Sequence, residues 1–248
     1  MVDVVLFIMI KSASYSRLVD FEQCKYRAKL KFIDKIPEVK HEAADRGTAI
    51  HTLAEKYVMG KGKDTIPPEL RKFENEFKVL RREYKTKNVS LEGEWGFDKE
   101  WLPCDYKTAW LRVKADAVVY TSTSHAVVID YKTGRKFGHE IAHGEQVQLY
   151  AISALIRSPK LKEITVELWY LDLDDMTQRT TSRIEALRYV QTFNKRIIKM
   201  LETKDFPPNP NIFTCRWCSY GPSKGNQCEY GIVPGQQFNI QKYREKFE

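Results

Sequence analysis

The feature that most constrains this chain is a β-hairpin pattern near its middle. The runs Leu111–Tyr120 and Ala126–Thr133 are rich in β-branched and aromatic residues, and a short polar segment separates them. If the hairpin turns about Thr123, then Asp116 and Asp130, each seven residues from it, face each other. The sequence therefore predicts two aspartates directly opposite across one ladder.

Facing carboxylates, with Cβ atoms roughly 5 Å apart, repel each other and destabilise a sheet. Lys132 lies two residues beyond Asp130 and so on the same face. A divalent cation with oxygen ligands would relieve the repulsion, which predicts a Mg²⁺ or Mn²⁺ site. Such a metal polarises a phosphoryl oxygen, and Lys132 would orient water or stabilise developing charge. The alternative, a solvated outer hairpin face, leaves the facing aspartates unexplained.

Two further pairs have helical spacing. Gly47 and His51 lie four apart on a predicted helix, where glycine allows close approach of another backbone. His51 alone would be interpreted as a hydrogen-bonded core histidine; beside the aspartates it is predicted to be a metal ligand. Gln146 and Tyr150, also four apart, follow the Lys132 strand and are predicted to bind phosphate or hold Lys132 in place.

The five cysteines predict metal ligation or buried thiols rather than disulfides. Cys215, Cys218 and Cys228 form a C-x₂-C-x₉-C pattern in a Pro/Gly-rich segment, which supplies three of the four ligands of a closed tetrahedral site. Cys24 is the favoured fourth ligand and Cys104 the competitor. Four thiolates suit either Zn²⁺ or an iron–sulfur cluster, and the spacing leaves both open.

The periodicities predict an α/β fold, with a mixed central sheet flanked by helices and an irregular cysteine-bearing lobe that joins the N- and C-terminal segments. The predicted helices are Ser14–Phe32, Ala43–Val58, one opened by Pro67 and Pro68, Gly144–Arg157, and a long one that starts at the capping box of Ser182 and runs to about Glu202. The predicted strands are Ser90–Phe97, the hairpin, and Glu163–Leu173; residues 206–228 are predicted to be irregular.

The net charge of +8 favours a polyanionic partner, most simply nucleic acid, over a merely basic soluble protein. The apolar start Val2–Ile10 is too short for a bilayer span and is expected to be a buried strand or residues from an upstream start codon. No later segment reaches membrane length, so a soluble, cytoplasmic protein with no membrane partner is expected, in a bacterium, an archaeon or a phage-infected cell.

Taken together, these residues resemble the RecB-like branch of the PD-(D/E)XK nuclease superfamily, in particular the CRISPR-associated RecB-like nucleases and their phage homologues with a four-cysteine metal cluster. The motifs occur in the family's order over most of the chain. They are an N-terminal segment leading to Cys24, Gly47-x-x-x-His51, the strand of Asp116, Asp130-x-Lys132, Gln146-x-x-x-Tyr150, and Cys215, Cys218 and Cys228.

The resemblance implies a restriction-endonuclease-like core in which Mg²⁺ or Mn²⁺ is held by His51, Asp116, Asp130 and the carbonyl of Tyr131. Lys132 would be the catalytic lysine, and Gln146 and Tyr150 would support the active site. Cys24, Cys215, Cys218 and Cys228 would hold a [4Fe–4S] cluster, with structural Zn²⁺ as the alternative. Glu94 would occupy a further acidic position.

The function expected is that of a metal-dependent deoxyribonuclease, an exonuclease acting on single-stranded DNA or DNA ends in recombination, repair or phage DNA processing. The alternatives are an endonuclease that trims DNA for integration with protein partners, and a DNA-binding module without catalysis. No Gly-x-x-x-x-Gly-Lys-[Ser/Thr] motif occurs, so unwinding is not expected. The chain is predicted to be one nuclease domain, with residues 90–173 as catalytic core and residues 11–35 with 206–231 as the cysteine lobe.

Overall fold

The computed structural model describes residues 9–39, 42–134, 136–233 and 235 of the 248. The chain divides into two compact units: a central unit of residues 42–194, and a terminal unit that combines residues 1–41 with 195–248. Most of the predicted N-terminal strand, residues 2–8, lies outside the described residues. Within the described ranges, no helix is both long enough and apolar enough to cross a bilayer.

The helices are α1 (Tyr15–Gln23), α2 (Lys25–Ala28), α3 (Glu42–Val58), α4 (Glu74–Lys85), α5 (Glu140–Arg157), α6 (Arg183–Leu187), α7 (Val190–Glu202) and α8 (Ile212–Trp217). A π-helical turn, Lys29–Ile33, continues α2, and a 3₁₀ turn, Pro68–Phe73, precedes α4. The strands are β1 (Val89–Phe97), β2 (Pro103–Cys104), β3 (Leu111–Tyr120), β4 (His125–Lys132), β5 (Glu163–Tyr170) and β6 (Asp175–Ser182).

The six strands form one mixed sheet in the order β2-β1-β3-β4-β5-β6. Neighbouring strands are antiparallel except β4 and β5, which are parallel. A parallel pair needs a crossover, and α5 supplies it. The predicted mixed sheet flanked by helices is confirmed.

Both faces of the sheet are covered by helices. Helices α3 and α4 pack on one face through a core that includes Phe77, Ile129, Tyr131 and Trp169. Alternation along β4 turns Asp130 to the opposite face, where the hydroxyl of Tyr150 from α5 bonds it. Asp130 is therefore buried beneath α5, whereas Lys114, on the same face of the hairpin, is half exposed.

The single helix predicted for Ser14–Phe32 is wrong. The chain becomes extended at Cys24, with φ −161° and ψ 111°, and this residue separates α1 from α2. The side chains on either side keep a helical period, so the sequence pattern does not reveal the break. The extended residue brings the sulfur of Cys24 within 3.4 Å of the amide nitrogen of Asn209.

Four other elements differ from the prediction. Strand β6 was missed because its residues, Asp175–Ser182, are mostly polar and exposed at the sheet edge. The capping role of Ser182 is confirmed, since its side chain accepts from the amide of Glu185, but the predicted long helix is divided into α6 and α7. Helix α5 begins at Glu140, four residues before the predicted start, and α8 lies in the stretch predicted to be irregular.

Replacing Phe77 by alanine is expected to lower the free energy of unfolding by about 3–5 kcal/mol. The side chain is fully buried, and its ring lies 5.3 Å from that of Tyr131 and 5.4 Å from that of Trp169. Urea unfolding measures the change. Val79→Ala on the same helix is the control, because Val79 is 44% exposed and a surface change of this kind shifts stability by no more than about 0.5 kcal/mol. Equal stability of the two variants would contradict this packing.

Candidate active site

The predicted hairpin register is confirmed. Ala117 pairs with Ile129 and Val118 with Val128, which places Asp116 and Asp130 at the next facing position. The ladder ends at the Ala117–Ile129 pair, and beyond it the amide of Tyr131 donates to Asp116 Oδ2 at 2.7 Å. The two aspartates therefore lie where the paired strands end, with room between the strands for other groups.

Helix α3 brings His51 to the first of these carboxylates. The imidazole Nδ1 lies 2.9 Å from Asp116 Oδ1, and an N–H there donates to the carboxylate. Gly47, one turn earlier, allows this approach, since a Cβ added to it would lie 3.1 Å from Thr133 Oγ1. His51 therefore bonds the acid, and Gly47 on the same helix face lies close to Thr133, just after β4; the metal-ligand role of His51 stays a prediction.

The second carboxylate belongs to a closed ring of four side chains. Lys132 Nζ donates to Gln146 Oε1 (2.7 Å), Gln146 Nε2 donates to the Tyr150 oxygen (2.8 Å), and the Tyr150 hydroxyl donates to Asp130 Oδ1 (2.8 Å). An ion pair of 2.6 Å between Lys132 Nζ and Asp130 Oδ2 closes the ring. The structure therefore brings together Gln146, Tyr150, Lys132 and Asp130, as the sequence suggested.

Charge in this enclosed site is balanced by proton-bearing groups. Burial, reinforced by the charge of Asp130, raises the pKa of Asp116 above its ordinary value, although His51 opposes the shift. Burial also disfavours the charged form of His51, but the hydrogen bond and charge of Asp116 outweigh it, so the pKa of His51 is raised. Burial raises the pKa of Tyr150 well above its usual range, which keeps its hydroxyl a donor to Asp130.

The donor set fits a divalent metal in its chemistry. The only described partner of Asp130 Oδ2 is the ammonium of Lys132, so this buried oxygen and each Asp116 oxygen keep a lone pair beyond the one contact described. An open cavity of about 550 Å³ is lined by His51, Asp116, Asp130 and Tyr150. Among the residues that the structure describes, however, no three His, Cys, Asp or Glu side chains already lie in a metal-ligating cluster. Binding would need these side chains to draw together.

Sequence reasoning missed Glu92, which lines this cavity together with Lys114, its ion-pair partner, and Glu55. Glu92 lies between residues paired with Ala117 and Ala115, hence beside Asp116, and has a left-handed φ of +47°. Glu94, the expected further acid, is exposed instead. Glu92 and Glu94 are two residues apart and so lie on the same face of β1. Only the register in which β1 pairs with β3 shows which of them lies beside Asp116.

A second missed feature is an ion pair between Arg46 and Asp172, 126 residues apart. The guanidinium bonds both carboxylate oxygens at 2.8 and 2.6 Å, and the amide of Gly134 donates to Asp172 at 2.7 Å. The hydrogen bond from Arg46 lowers the pKa of Asp172. This pair ties α3, which carries His51, to the segment that follows Lys132. No local pattern in the sequence indicates it.

In the terminal unit, the four predicted cysteine ligands line one small cavity of about 20 Å³, although among the described residues they do not already lie in a metal-ligating cluster. They are Cys24, Cys215, Cys218 and Cys228, none of which forms a disulfide. Cys104, the competitor for the fourth place, belongs to strand β2 of the central unit. The structure therefore groups the favoured set of four around a single space.

The environment of these thiols is compatible with a cluster of negative ligands. Burial raises the pKa of Cys218, and raises that of Cys228 to about 11, so without a metal both carry protons. A bound cation would displace them. Arg27 also lines the cavity and supplies a compensating charge. Gly221 and Gly231 leave no space for a Cβ, since a Cβ on Gly221 would lie 2.6 Å from the Cys215 carbonyl oxygen and a Cβ on Gly231 would lie 2.4 Å from Pro222 Cδ.

Comparison of the sequence with models of known protein families shows which family this chain belongs to. The sequence matches the family described as the PD-(D/E)XK nuclease superfamily over residues 12–109 and 57–223. The chain belongs to the PD-(D/E)XK nuclease superfamily. Its six-stranded mixed sheet flanked by helices is consistent with the fold of this superfamily. No curated protein matches the chain.

Three solved structures are similar to this chain over most of its length. SSO0001 is 15% identical, with 86% of this chain and 87% of that chain covered and a TM-score of 0.45. An alkaline exonuclease from Laribacter hongkongensis is 14% identical (78% and 89% covered, TM-score 0.33). A phage-related exonuclease from Haemophilus somnus 129PT is 11% identical (77% and 93% covered, TM-score 0.30). Similarity at this level does not indicate the activity or the substrate of this chain, which have to be inferred from the chemistry of the site.

Proposed function

We propose that this protein is a Mg²⁺- or Mn²⁺-dependent deoxyribonuclease that hydrolyses phosphodiester bonds. The observation that carries the proposal is the placement of Asp116, Asp130 and His51 on one cavity, with Lys132 fixed beside Asp130. Membership of a nuclease superfamily and the net charge of +8 support a DNA substrate.

The metal would be held by Asp116, Asp130, His51 and the carbonyl of Tyr131. When bound, it would polarise the scissile phosphate and lower the pKa of an attacking water. The hydrogen bond from His51 Nδ1 to Asp116 orients the imidazole and leaves Nε2 as the ring atom for a metal. The ring from Lys132 to Tyr150 fixes Asp130, because one of its oxygens accepts from Tyr150 and the other pairs with the ammonium.

Lys132 is the proposed catalytic cation. Its ammonium is held by Gln146 and Asp130 and is only 18% exposed, so its position is set before substrate binds. A cation fixed in a partly dehydrated site stabilises charge on the reacting phosphate without reorganising during the reaction. Gln146 and Tyr150 are positioning residues in this scheme, since they act on Lys132 and Asp130.

Within this class, an exonuclease acting on single strands or DNA ends is the form we favour, in a RecB-like branch related to the CRISPR-associated nucleases and their phage counterparts. The motif order from Cys24 through Cys228 supports this subtype. An endonuclease that trims DNA for integration with recombination or integration proteins is the second form. The cysteine cavity would hold a [4Fe–4S] cluster, with Zn²⁺ as the alternative for four thiolates.

Lys132→Met is expected to lower the cleavage rate by about 10²–10³-fold, because the fixed cation is lost. Binding in EDTA should stay within about twofold, since many phosphate contacts share the affinity. The measurement is the rate at which labelled nucleotides are released from end-labelled linear DNA in Mg²⁺ or Mn²⁺. Lys99→Met, which removes an exposed lysine and the same charge, is the control and should cleave normally.

Circular single-stranded DNA separates the two forms of the proposal in the same assay. An exonuclease leaves it uncut, whereas an endonuclease opens it. Full cleavage of linear DNA by Lys132→Met, or equal loss in Lys99→Met, would contradict the assigned role of Lys132.

Anaerobic purification is expected to give a brown protein with iron and inorganic sulfide, and Cys218→Ser should lose most of both because one of four thiolates is removed. Cys104→Ser is the matched control and should retain them. The measurements are visible absorbance and metal analysis. A colourless wild-type protein with zinc would reject the cluster in favour of Zn²⁺, and one with neither metal would reject the four-cysteine site.

A further inference from the structure

Helix α8 in the terminal unit has two chemically different sides. Asn211 begins it, with a side chain that accepts from the amide of Thr214 at 2.8 Å, and Cys215 is buried against the cysteine cavity. Phe213 and Trp217, four residues apart and so on one side, are 86% and 67% exposed. Large aromatic side chains this exposed, on a helix anchored through its other side, indicate a binding surface.

Cations flank the exposed indole. The guanidinium carbon of Arg216 lies 5.1 Å from the Trp217 ring centroid, and Lys224 Nζ lies 5.7 Å from it. We call Phe213, Arg216, Trp217 and Lys224 the α8 surface. Its combination of flat rings and adjacent positive charge matches what unpaired nucleotides present, namely a base to stack and a phosphate to neutralise.

The charge of the chain is concentrated in the unit that carries this surface. The terminal unit has seventeen Lys and Arg against ten Asp and Glu, so it holds +7 of the net +8. The central unit, with the acidic site, is nearly neutral. A strongly basic unit attracts a polyanion, which favours nucleic acid over a neutral protein or a second copy of this basic chain as the occupant.

We propose that the α8 surface binds single-stranded DNA, with bases stacked on Phe213 and Trp217 and phosphates neutralised by Arg216 and Lys224. Single strands are specified because the bases of a duplex are already stacked on each other and their faces are closed to side chains. This inference deepens the proposed nuclease function and rests on DNA being its substrate. It assigns strand capture to residues separate from the cleavage chemistry of Asp116, Asp130 and Lys132.

The test is fluorescence anisotropy with labelled oligo-dT of about 16 nucleotides, in EDTA so that no cleavage occurs. Trp217→Ala and Phe213→Ala should each weaken binding about 5-fold or more, the lower end of what one base stack contributes. Trp217→Phe should retain most of the affinity. Ile184→Ala is the control, since Ile184 is 73% exposed but lies in the central unit.

A DNA strand of equal length that lacks bases separates the contribution of base stacking to affinity from that of phosphate charge. The wild type should bind it more weakly than oligo-dT, and Trp217→Ala should bind it as the wild type does. Arg216→Gln should reduce the slope of log affinity against log salt by about 1. Thermal unfolding and metal content should match the wild type in every variant, because all these side chains are on the surface.

Unchanged oligo-dT binding in both alanine variants would overturn the proposal. An equal loss of affinity for the strand without bases would also overturn it. So would the finding that the wild type is a dimer which Trp217→Ala dissociates while DNA binding stays intact, because α8 would then be a contact between copies. The proposed function fails separately: a wild type that binds oligo-dT through Trp217 but cleaves no DNA with Mg²⁺ or Mn²⁺ keeps the α8 surface and rejects the nuclease.

Discussion

The burial of two carboxylates at the open end of one hairpin is the constraint on which the rest of the central unit depends. Asp116 is 11% and Asp130 is 7% exposed at the side chain, and they occupy facing positions just beyond the last paired residues. Charges enclosed in this way destabilise a fold unless each is paired and hydrogen-bonded. Lys132 supplies a charge, and His51, Tyr131 and Tyr150 supply hydrogen-bond donors.

Those partners come from three elements, which explains why the site needs the helices on the sheet as well as the sheet itself. Helix α3 brings His51, strand β4 brings Lys132, and α5, the crossover between two parallel strands, brings Gln146 and Tyr150. The ion pair of Arg46 with Asp172 ties α3 to the strand ends. Chemistry and stability are therefore coupled here, because the groups proposed to act on phosphate also compensate the buried acids.

Much of this could be predicted because the signals are local. The register follows from the symmetry of the hairpin about Thr123, and spacings of four place Gly47 with His51 and Gln146 with Tyr150. The rest depends on contacts distant in sequence. The break at Cys24, the edge strand β6 and the pairing of Arg46 with Asp172 leave no period or composition signal. Glu92 is distinguished from Glu94 only by how β1 pairs with β3.

In the terminal unit, four thiols rather than a sheet line the central space, and this unit carries most of the net charge of the chain. In our account, it captures a strand and the central unit hydrolyses it. The central claim is that the two facing aspartates hold a metal, and anomalous diffraction from crystals grown with Mn²⁺ tests it most directly. The account predicts an anomalous peak within bonding distance of Asp116, Asp130 and His51. Crystals with Mn²⁺ bound elsewhere and no peak between the two aspartates would contradict it.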